Sequence, residues 1–445
     1  MNIRRASQAE RFLQDTRGSV LPIFVLLLPV LMAVIGAAVD YSRASAANAK
    51  LQAALDATAL AMSTKAPILS PTELSAQTSA YFSSIFTHAG VMDSMIDISY
   101  STASGPQVVL RGSANVKTLF LSMPPINTIA INIASSSTIA WGNTRLRLAL
   151  VLDNTGSMAD AGKITALKTA TQNLLTQLQN ATVNNGDVYV SIVPFVKDVN
   201  AGPGNYTADW IDWTDWNANN GTCSNSHHHT KSSCTTNGGT WTPAAHSTWN
   251  GCITDRGTTA APSTGNYDTN VTMPTTAITA TLFPAEQYGS CPLQLAGLSY
   301  NWSAMSSLVN QMTPNGNTNQ AIGLAWGWQS LVGGGPFTVP PMDPNFDYNQ
   351  VIILLTDGLN TQDRWYTDQA SIDARQQITC NNIKAATPKI TLYTVQVNTG
   401  NDPTSTLLQN CATDPSKFFL LTSASEIITT FNTIGTNISK LRIAK

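Results

Sequence analysis

An uncharged stretch near the N-terminus constrains this chain of 445 residues more than any other feature. Residues 20–39 read VLPIFVLLLPVLMAVIGAAV, and about 20 apolar residues are enough for a helix to cross the hydrocarbon core of a bilayer. The positive-inside rule predicts that segment 1–19 stays in the cytoplasm and that the chain beyond Asp40 lies across the membrane. Segment 1–19 carries more arginines than acids: Arg4, Arg5, Arg11 and Arg17 against Glu10 and Asp15.

A cleaved signal peptide is the alternative to this anchor. Small residues in IGAAVDYSRASA, 35–46, offer a cleavage site. The apolar run is longer, however, than the hydrophobic region of about 7–15 residues that signal peptides usually carry. The length therefore favours an uncleaved, single-pass anchor.

Composition narrows the classes of partner. Charged residues make up 11% of the chain, against about 25% in a typical soluble domain, and the net charge is −2. The sequence contains no basic patch that would attract a phosphate backbone. We therefore expect no nucleic-acid partner.

All six cysteines lie beyond residue 220, on the translocated side. An even number in an oxidising compartment predicts three disulfides rather than a metal framework. Fifteen pairings are possible. We favour Cys223–Cys234, Cys252–Cys291 and Cys380–Cys411, the last because these two cysteines flank a helix–strand unit.

The pattern after the anchor divides the chain in two. Residues 40–142 read as a helix that continues out of the membrane, a second helix with Thr72 as its candidate cap, and three alternating strands. Residues 143–445 alternate buried strands with helices, which predicts an α/β domain with a doubly wound, mainly parallel sheet. A Gly-, Thr- and Trp-rich stretch at about 200–300 interrupts that domain, and we expect it to be an insert pinned by disulfides.

Polar residues follow the strands of the predicted sheet at three places. In open α/β sheets, ligands bind outside the carboxyl ends of the strands, so these residues define a candidate site. Carboxylate and hydroxyl oxygens suit a hard cation such as Mg²⁺ or Mn²⁺, or else Ca²⁺. The candidate ligands are Asp153, Thr155, Ser157, Thr318 and Asp357.

This layout resembles the von Willebrand factor A family and its metal-ion-dependent adhesion site. The family motif D-x-S/T-x-S matches DNTGS, 153–157, while Thr318 matches its threonine loop and Asp357 its distal aspartate. The resemblance implies that Thr155, Ser157 and Thr318 provide hydroxyls to the metal and that the two aspartates bind it directly or through water. It also implies that the metal holds a carboxylate of a protein partner. The alternative is that these residues only cap helices and stabilise turns.

A phosphoryl-transfer enzyme is the rival interpretation of the same stretch. DNTGS is close to the D-K-T-G-T loop of P-type ATPases, in which the aspartate is a nucleophile. Asn154 stands in place of the lysine, Thr361 in place of a later aspartate, and a single span cannot form an ion pathway. We therefore expect no enzyme, and no small-molecule substrate.

The N-terminal stretch RGSVLPIFVLLLPVLMAVIGAAVDYSRA, 17–44, resembles the anchor of TadE/TadG-like pilus-assembly proteins. An anchor followed by a von Willebrand A domain is similar to the TadG-like members of the tight-adherence (Flp) pilus system. The resemblance implies a bacterial inner-membrane protein whose C-terminal domain is periplasmic or at the cell surface, with other pilus-assembly proteins as partners. A structural scaffold with a vestigial metal site is the alternative. Pilins of this type carry Glu five residues after a processed glycine, whereas Ile23 follows Gly18 here, which favours a permanent anchor.

Two smaller motifs lie in the expected insert. DWIDWTDW, 209–216, allows a calcium loop or an aromatic binding face, but packing inside the insert is favoured because large apolar side chains are mostly core. The run His227–His229 lies between Cys223 and Cys234, a spacing too wide for a zinc site. We expect a disulfide loop with exposed histidines.

Overall fold

The computed structural model divides the chain into two compact units, Met1–Trp141 and Gly142–Lys445. The expected cytoplasmic segment, 1–19, lies outside the described residues. The structure describes residues 20–63, 65, 69–87, 91–101, 107–120, 130–140, 144–182, 184–258, 265–334, 336–400 and 402–443.

One helix, α1 (Val20–Ser63), dominates the first unit. Its apolar N-terminal half is exposed, with Leu26 at 75%, whereas Leu51 and Leu55 in the C-terminal half are fully buried. Among the described residues it is the one helix long and apolar enough to cross a membrane. The prediction that the anchor helix continues beyond the apolar stretch is confirmed.

A three-stranded antiparallel sheet packs against this helix, in the order β1-β2-β3. Alternate side chains of the central strand are buried, which produces the core face expected of a half-covered sheet. The prediction that Thr72 caps helix α2 is wrong, because Ser70 is the capping residue. The Ser70 hydroxyl accepts the N–H of Glu73, and the Glu73 carboxylate accepts the N–H of Ser70. The elements are α2 (Pro71–Ile85), β1 (Val91–Ser101), β2 (Gln107–Lys117) and β3 (Ala130–Ala140).

A mixed sheet forms the centre of the second unit, with the strand order β10-β6-β5-β4-β13-β14-β15 and β12 also beside β5. Five neighbouring strands, β5-β4-β13-β14-β15, run parallel. Strands β6, β10 and β12 pair antiparallel with their neighbours. The α/β class is confirmed, and the antiparallel additions make the sheet mixed. The strands are β4 (Thr144–Asp153), β5 (Val188–Phe195), β6 (Val199–Asn200), β10 (Cys252–Ile253), β12 (Ala296–Ser299), β13 (Asp347–Thr356), β14 (Ile390–Val397) and β15 (Phe418–Leu421).

Helices cover both faces of this sheet. Successive side chains of β4 point to opposite faces, so Leu148 and Leu150 join one apolar cluster and Ala149 joins the other. A strand buried on both faces is expected to be apolar throughout, as β4 is. Helices α3 (Lys163–Asn180), α6 (Trp302–Gln311) and α10 (Ser425–Ile443) contribute to the first cluster, and α7 (Gln320–Val332), α8 (Gln369–Ala385) and α9 (Thr406–Cys411) to the second.

The described parts of 200–300, which are 200–258 and 265–300, form short elements. Trp216 and Trp249 are buried there, and Trp213 stacks on His246 at 3.8 Å between ring centroids, so the tryptophan repeat packs internally as expected. The Nδ1 of His228 lies 2.7 Å from Ser233 Oγ, inside the Cys223–Cys234 loop. The remaining elements are β7 (Ile211–Asp212), α4 (Thr214–Asn219), β8 (Gly221–Cys223), α5 (Lys231–Thr236), β9 (Trp241–Pro243) and β11 (Phe283–Pro284).

Three disulfides join the cysteines in the favoured pairing. Cys380–Cys411 links α8 to α9 across 31 residues, and Cys223–Cys234 closes a loop of 11. Cys252–Cys291 spans 39 residues. Cys380 and Cys411 are fully buried in the apolar cluster between these helices and the sheet.

Removing the Cys380–Cys411 disulfide should destabilise the second unit more than removing the Cys223–Cys234 disulfide, which closes a shorter loop. We expect Cys380→Ala/Cys411→Ala to lower the free energy of unfolding by about 3–4 kcal/mol, and Cys223→Ala/Cys234→Ala by less, because the shorter loop restricts the unfolded chain less. Urea unfolding followed by tryptophan fluorescence measures this, since nine of the ten tryptophans lie at or beyond position 210. Equal losses in the two variants would contradict the expectation.

Candidate metal centre

The candidate site lies where β4 and β13 end side by side. The two strands are parallel neighbours, with Leu152 opposite Leu355. Asp153 is the last residue of β4, and Asp357 follows the last residue of β13. Their side chains therefore leave the sheet at the same edge, and both residues are buried.

The Asp153 carboxylate is bound on both oxygens. Its Oδ1 accepts the backbone N–H of Thr155 at 2.8 Å, and its Oδ2 accepts the hydroxyl of Thr356 at 2.6 Å. Full burial, followed by the charge of Asp357, raises the pKa of Asp153 from 3.8 to about 6. Near neutral pH the folded protein thus holds a carboxylate that burial disfavours, which is the condition a bound cation relieves.

Two hydroxyls connect the aspartates. Ser157 Oγ donates to Asp357 Oδ1 at 2.7 Å and lies 3.1 Å from Thr155 Oγ1. Four of the five predicted ligands, Asp153, Thr155, Ser157 and Asp357, are therefore joined by a continuous chain of hydrogen bonds that begins at the Thr155 N–H.

Thr318, the fifth predicted ligand, lies on the loop that precedes α7. The N–H of Gly156 donates to the carbonyl of Gly316 at 3.0 Å, which fastens this loop to the DNTGS turn. Thr318 is 5% exposed, and its backbone N–H donates to Thr361 Oγ1 at 2.8 Å. The loop that carries Thr318 is thus fastened to the DNTGS turn two residues before Thr318, at Gly316.

Amide side chains hold the loops of the site in place. Asn154 Nδ2 donates to the Thr313 carbonyl at 2.8 Å, so this residue, which stands where an ATPase loop has lysine, ties the DNTGS turn to the threonine loop. Asn360 Oδ1 accepts the N–H of Gln320, the first residue of α7, at 2.8 Å. Gln320 Nε2 in turn donates to the Gly358 carbonyl at 3.0 Å. Hydrogen bonds thereby connect the three loops at this edge of the sheet.

Lys163 is a member of the site that the sequence analysis missed. Its ammonium lies 2.5 Å from Asp357 Oδ2, and the residue is 6% exposed. Lys163 is the first residue of α3, where the helix dipole disfavours a cation, and the first turn contains no acid to offset it. That unfavourable placement, Gly-Lys at a helix start just after the motif, is the signal that could have found it.

The donor set fits a hard divalent cation. The five predicted ligands offer only oxygen atoms, which Mg²⁺, Mn²⁺ and Ca²⁺ prefer. Among the described residues, no group of three or more His, Cys, Asp or Glu side chains is placed to hold a metal. A metal at this edge would therefore depend on the hydroxyls of Thr155, Ser157 and Thr318 as well as on two carboxylates.

The N-terminal comparison identifies the family of the anchor segment. Residues 18–63 match the family model described as Flp pilus-assembly TadE/G-like. Within that match lies the whole of α1, so the resemblance of the anchor to TadE/TadG-like proteins is confirmed. One apolar helix of this family fits a single-pass membrane protein. No curated protein matches the chain.

Solved structures similar to this chain include domains of pili. The vWF domain of the type V pili tip protein Mfa5 from Porphyromonas gingivalis has a TM-score of 0.37 at 9% identity, over 68% of this chain and 97% of that one. The pilus adhesin SpaC from Lactobacillus rhamnosus GG has a TM-score of 0.36 at 15% identity, over 80% of this chain. This chain covers 36% of SpaC.

Removing the Asp153 charge should stabilise the metal-free protein at neutral pH. The raised pKa means that ionising Asp153 costs the folded state free energy above about pH 6, and that this cost vanishes below about pH 4. We expect Asp153→Asn to be about 3 kcal/mol more stable than the parent at pH 7 with chelator, and equal to it at pH 4.

Thermal melts across pH 4–8 measure this difference. Asp160→Asn, at an exposed position of the same turn, is the matched control and should leave the melting temperature unchanged. An Asp153→Asn variant less stable than the parent at pH 7 would mean that the charge itself stabilises the fold.

Proposed function

We propose that the second unit is a von Willebrand A domain that binds a divalent cation and, through it, a carboxylate of a protein partner. Five residues would hold the ion: Asp153, Thr155, Ser157, Thr318 and Asp357. A bound Mg²⁺ or Mn²⁺ supplies a Lewis-acidic position for an anionic ligand. The convergence of Asp153, Thr155, Ser157 and Asp357 at one edge of the sheet carries the proposal.

Two further observations support this assignment. Helices cover both faces of a sheet whose central strands are parallel, as in a doubly wound fold. The carboxyl edge of such a sheet is where ligands bind. We assign the residues at about 200–300, with two of the disulfides, to an insert in this domain.

The cellular role follows from the family of the anchor. We propose a TadG-like protein of a tight-adherence pilus system, held in the bacterial inner membrane by 20–39, with 1–19 cytoplasmic and 40–142 as a stalk unit. The domain 143–445 would then be periplasmic or at the cell surface, where oxidising conditions support its disulfides. Its partner would be another pilus component or a surface ligand that presents a carboxylate.

Isothermal titration calorimetry of the full-length protein in detergent tests metal binding. We expect Mg²⁺ or Mn²⁺ to bind the parent and Asp160→Asn, and the binding heat to disappear in Asp153→Ala, which removes a buried ligand at the centre of the site. A parent protein without metal-dependent heat would refute the proposal.

The second candidate function is a structural scaffold in pilus assembly with a vestigial metal site. One observation favours it: the Lys163 ammonium lies 2.5 Å from Asp357 Oδ2 and provides that carboxylate with a counterion from the same chain. On this alternative the stalk and the domain would act through their shape alone.

Replacing the hydroxyl ligands separates the two functions. We expect Thr155→Ala/Thr318→Ala to lose both metal heat and the chelator-sensitive partner recovered by crosslinking from cell envelopes, whereas Thr165→Ala, at an exposed position on α3, retains them. If the double variant still assembles pili and still crosslinks to the same partner, the scaffold function is the correct one.

A further inference from the structure

The ion pair between Lys163 and Asp357 has a consequence for metal binding. The ammonium lies 2.5 Å from Asp357 Oδ2, while Asp357 Oδ1 accepts the hydroxyl of Ser157 at 2.7 Å. Both oxygens of a proposed metal ligand are thus already bound, one of them by a cation. A divalent ion that coordinates Asp357 meets a positive charge attached to the same chain.

We propose that Lys163 is an internal counterion that competes with the divalent ion for Asp357 and so sets the metal affinity of the domain. Without metal, the ammonium neutralises a carboxylate whose side chain is fully buried. With metal, the ion takes over that neutralisation, and repulsion between the two cations on one carboxylate drives Lys163 to withdraw. This inference rests on the proposed metal site and adds the residue that opposes metal binding there.

The position of Lys163 in the chain supports a movable ammonium. The lysine begins α3 directly after Ala161 and Gly162, which both have left-handed backbone conformations with φ of 51° and 73°. Neighbouring positions 159–162 are exposed, so solvent lies close to the helix start. A long, flexible side chain there can turn from the carboxylate to water without any change in the strands.

The energetics make the competition measurable. A hydrogen bond between charged groups contributes about 1.5–3 kcal/mol, and a lysine in the first turn of a helix is disfavoured by the dipole. Metal binding must replace the first interaction, which weakens the apparent affinity by about 10- to 100-fold relative to a site without the lysine. The same ion pair stabilises the metal-free fold, because the Lys163 ammonium balances the negative charge of the buried Asp357 carboxylate.

Calorimetry of Lys163→Met in the full-length protein tests the proposal, with Mg²⁺ and Mn²⁺ as titrants. Methionine keeps the apolar stem and removes the ammonium, so we expect the metal to bind about 10- to 100-fold more tightly than in the parent. The matched control is Lys168→Met, which removes the same charge from the same helix but from an ammonium that donates to the Asn310 carbonyl at 3.0 Å. The control should retain the parent affinity.

A second measurement uses the unmodified protein and does not depend on the folding of a variant. Amine-reactive labelling followed by mass spectrometry should find Lys163 protected in chelator, because it is 6% exposed, and labelled after Mg²⁺ is added. Lys168 serves as the internal reference and should react equally in both conditions.

The outcomes separate this inference from the proposed function. The competition would be overturned if parent and Lys163→Met bound the metal with equal affinity. It would also be overturned if Lys163 were labelled to the same extent with and without Mg²⁺. Either outcome would leave the metal site intact. Absence of binding in both proteins would overturn the metal site and the competition together. Binding by Lys163→Met alone would show that the lysine opposes the metal, and would refute the proposed function of the natural chain, which requires the parent to bind.

Discussion

The parallel pairing of β4 with β13 is the constraint on which the candidate site depends. Because Leu152 lies opposite Leu355, both strands end at the same level and deliver Asp153 and Asp357 to one edge. A slip of one residue would also exchange the two faces of β4, moving Leu150 out of one apolar cluster and into the other. The packing that buries the strands therefore fixes the spacing of the two carboxylates.

Burial at that edge disfavours the charged form of both carboxylates, and two different interactions offset this cost. Asp153 is stabilised by hydrogen bonds from Thr155 and Thr356, yet burial still raises its pKa to about 6. Asp357 instead has an ammonium at contact distance. The two neighbouring carboxylates are thus stabilised differently, one by hydrogen bonds and the other by an ammonium.

Much of the fold could be predicted because buried strands and amphipathic helices each require a characteristic spacing of apolar residues in the sequence. The continuous apolar runs before Asp153 and Asp357 predicted two buried strands of a mainly parallel sheet, and the polar residues after them predicted a candidate site. That the two strands are neighbours is known only from the structure. Lys163 could not be placed by spacing, since its contact depends on a left-handed turn at Gly162 and on the reach of a long side chain. The short elements within 200–300 could not be predicted either, because a strand of two residues such as β6 produces no periodic pattern in the sequence.

The unbroken helix α1 has a mechanical consequence. Its 44 residues extend about 66 Å, of which the hydrocarbon core of a bilayer accounts for only about 30 Å. Asp40, at the end of the apolar stretch, already accepts the N–H groups of Leu119 and Phe120, so the first unit starts to pack on the helix where the apolar stretch stops. A load on that unit would pass into the apolar half of the helix as bending or tilt of one rod, because no flexible linker separates the two halves.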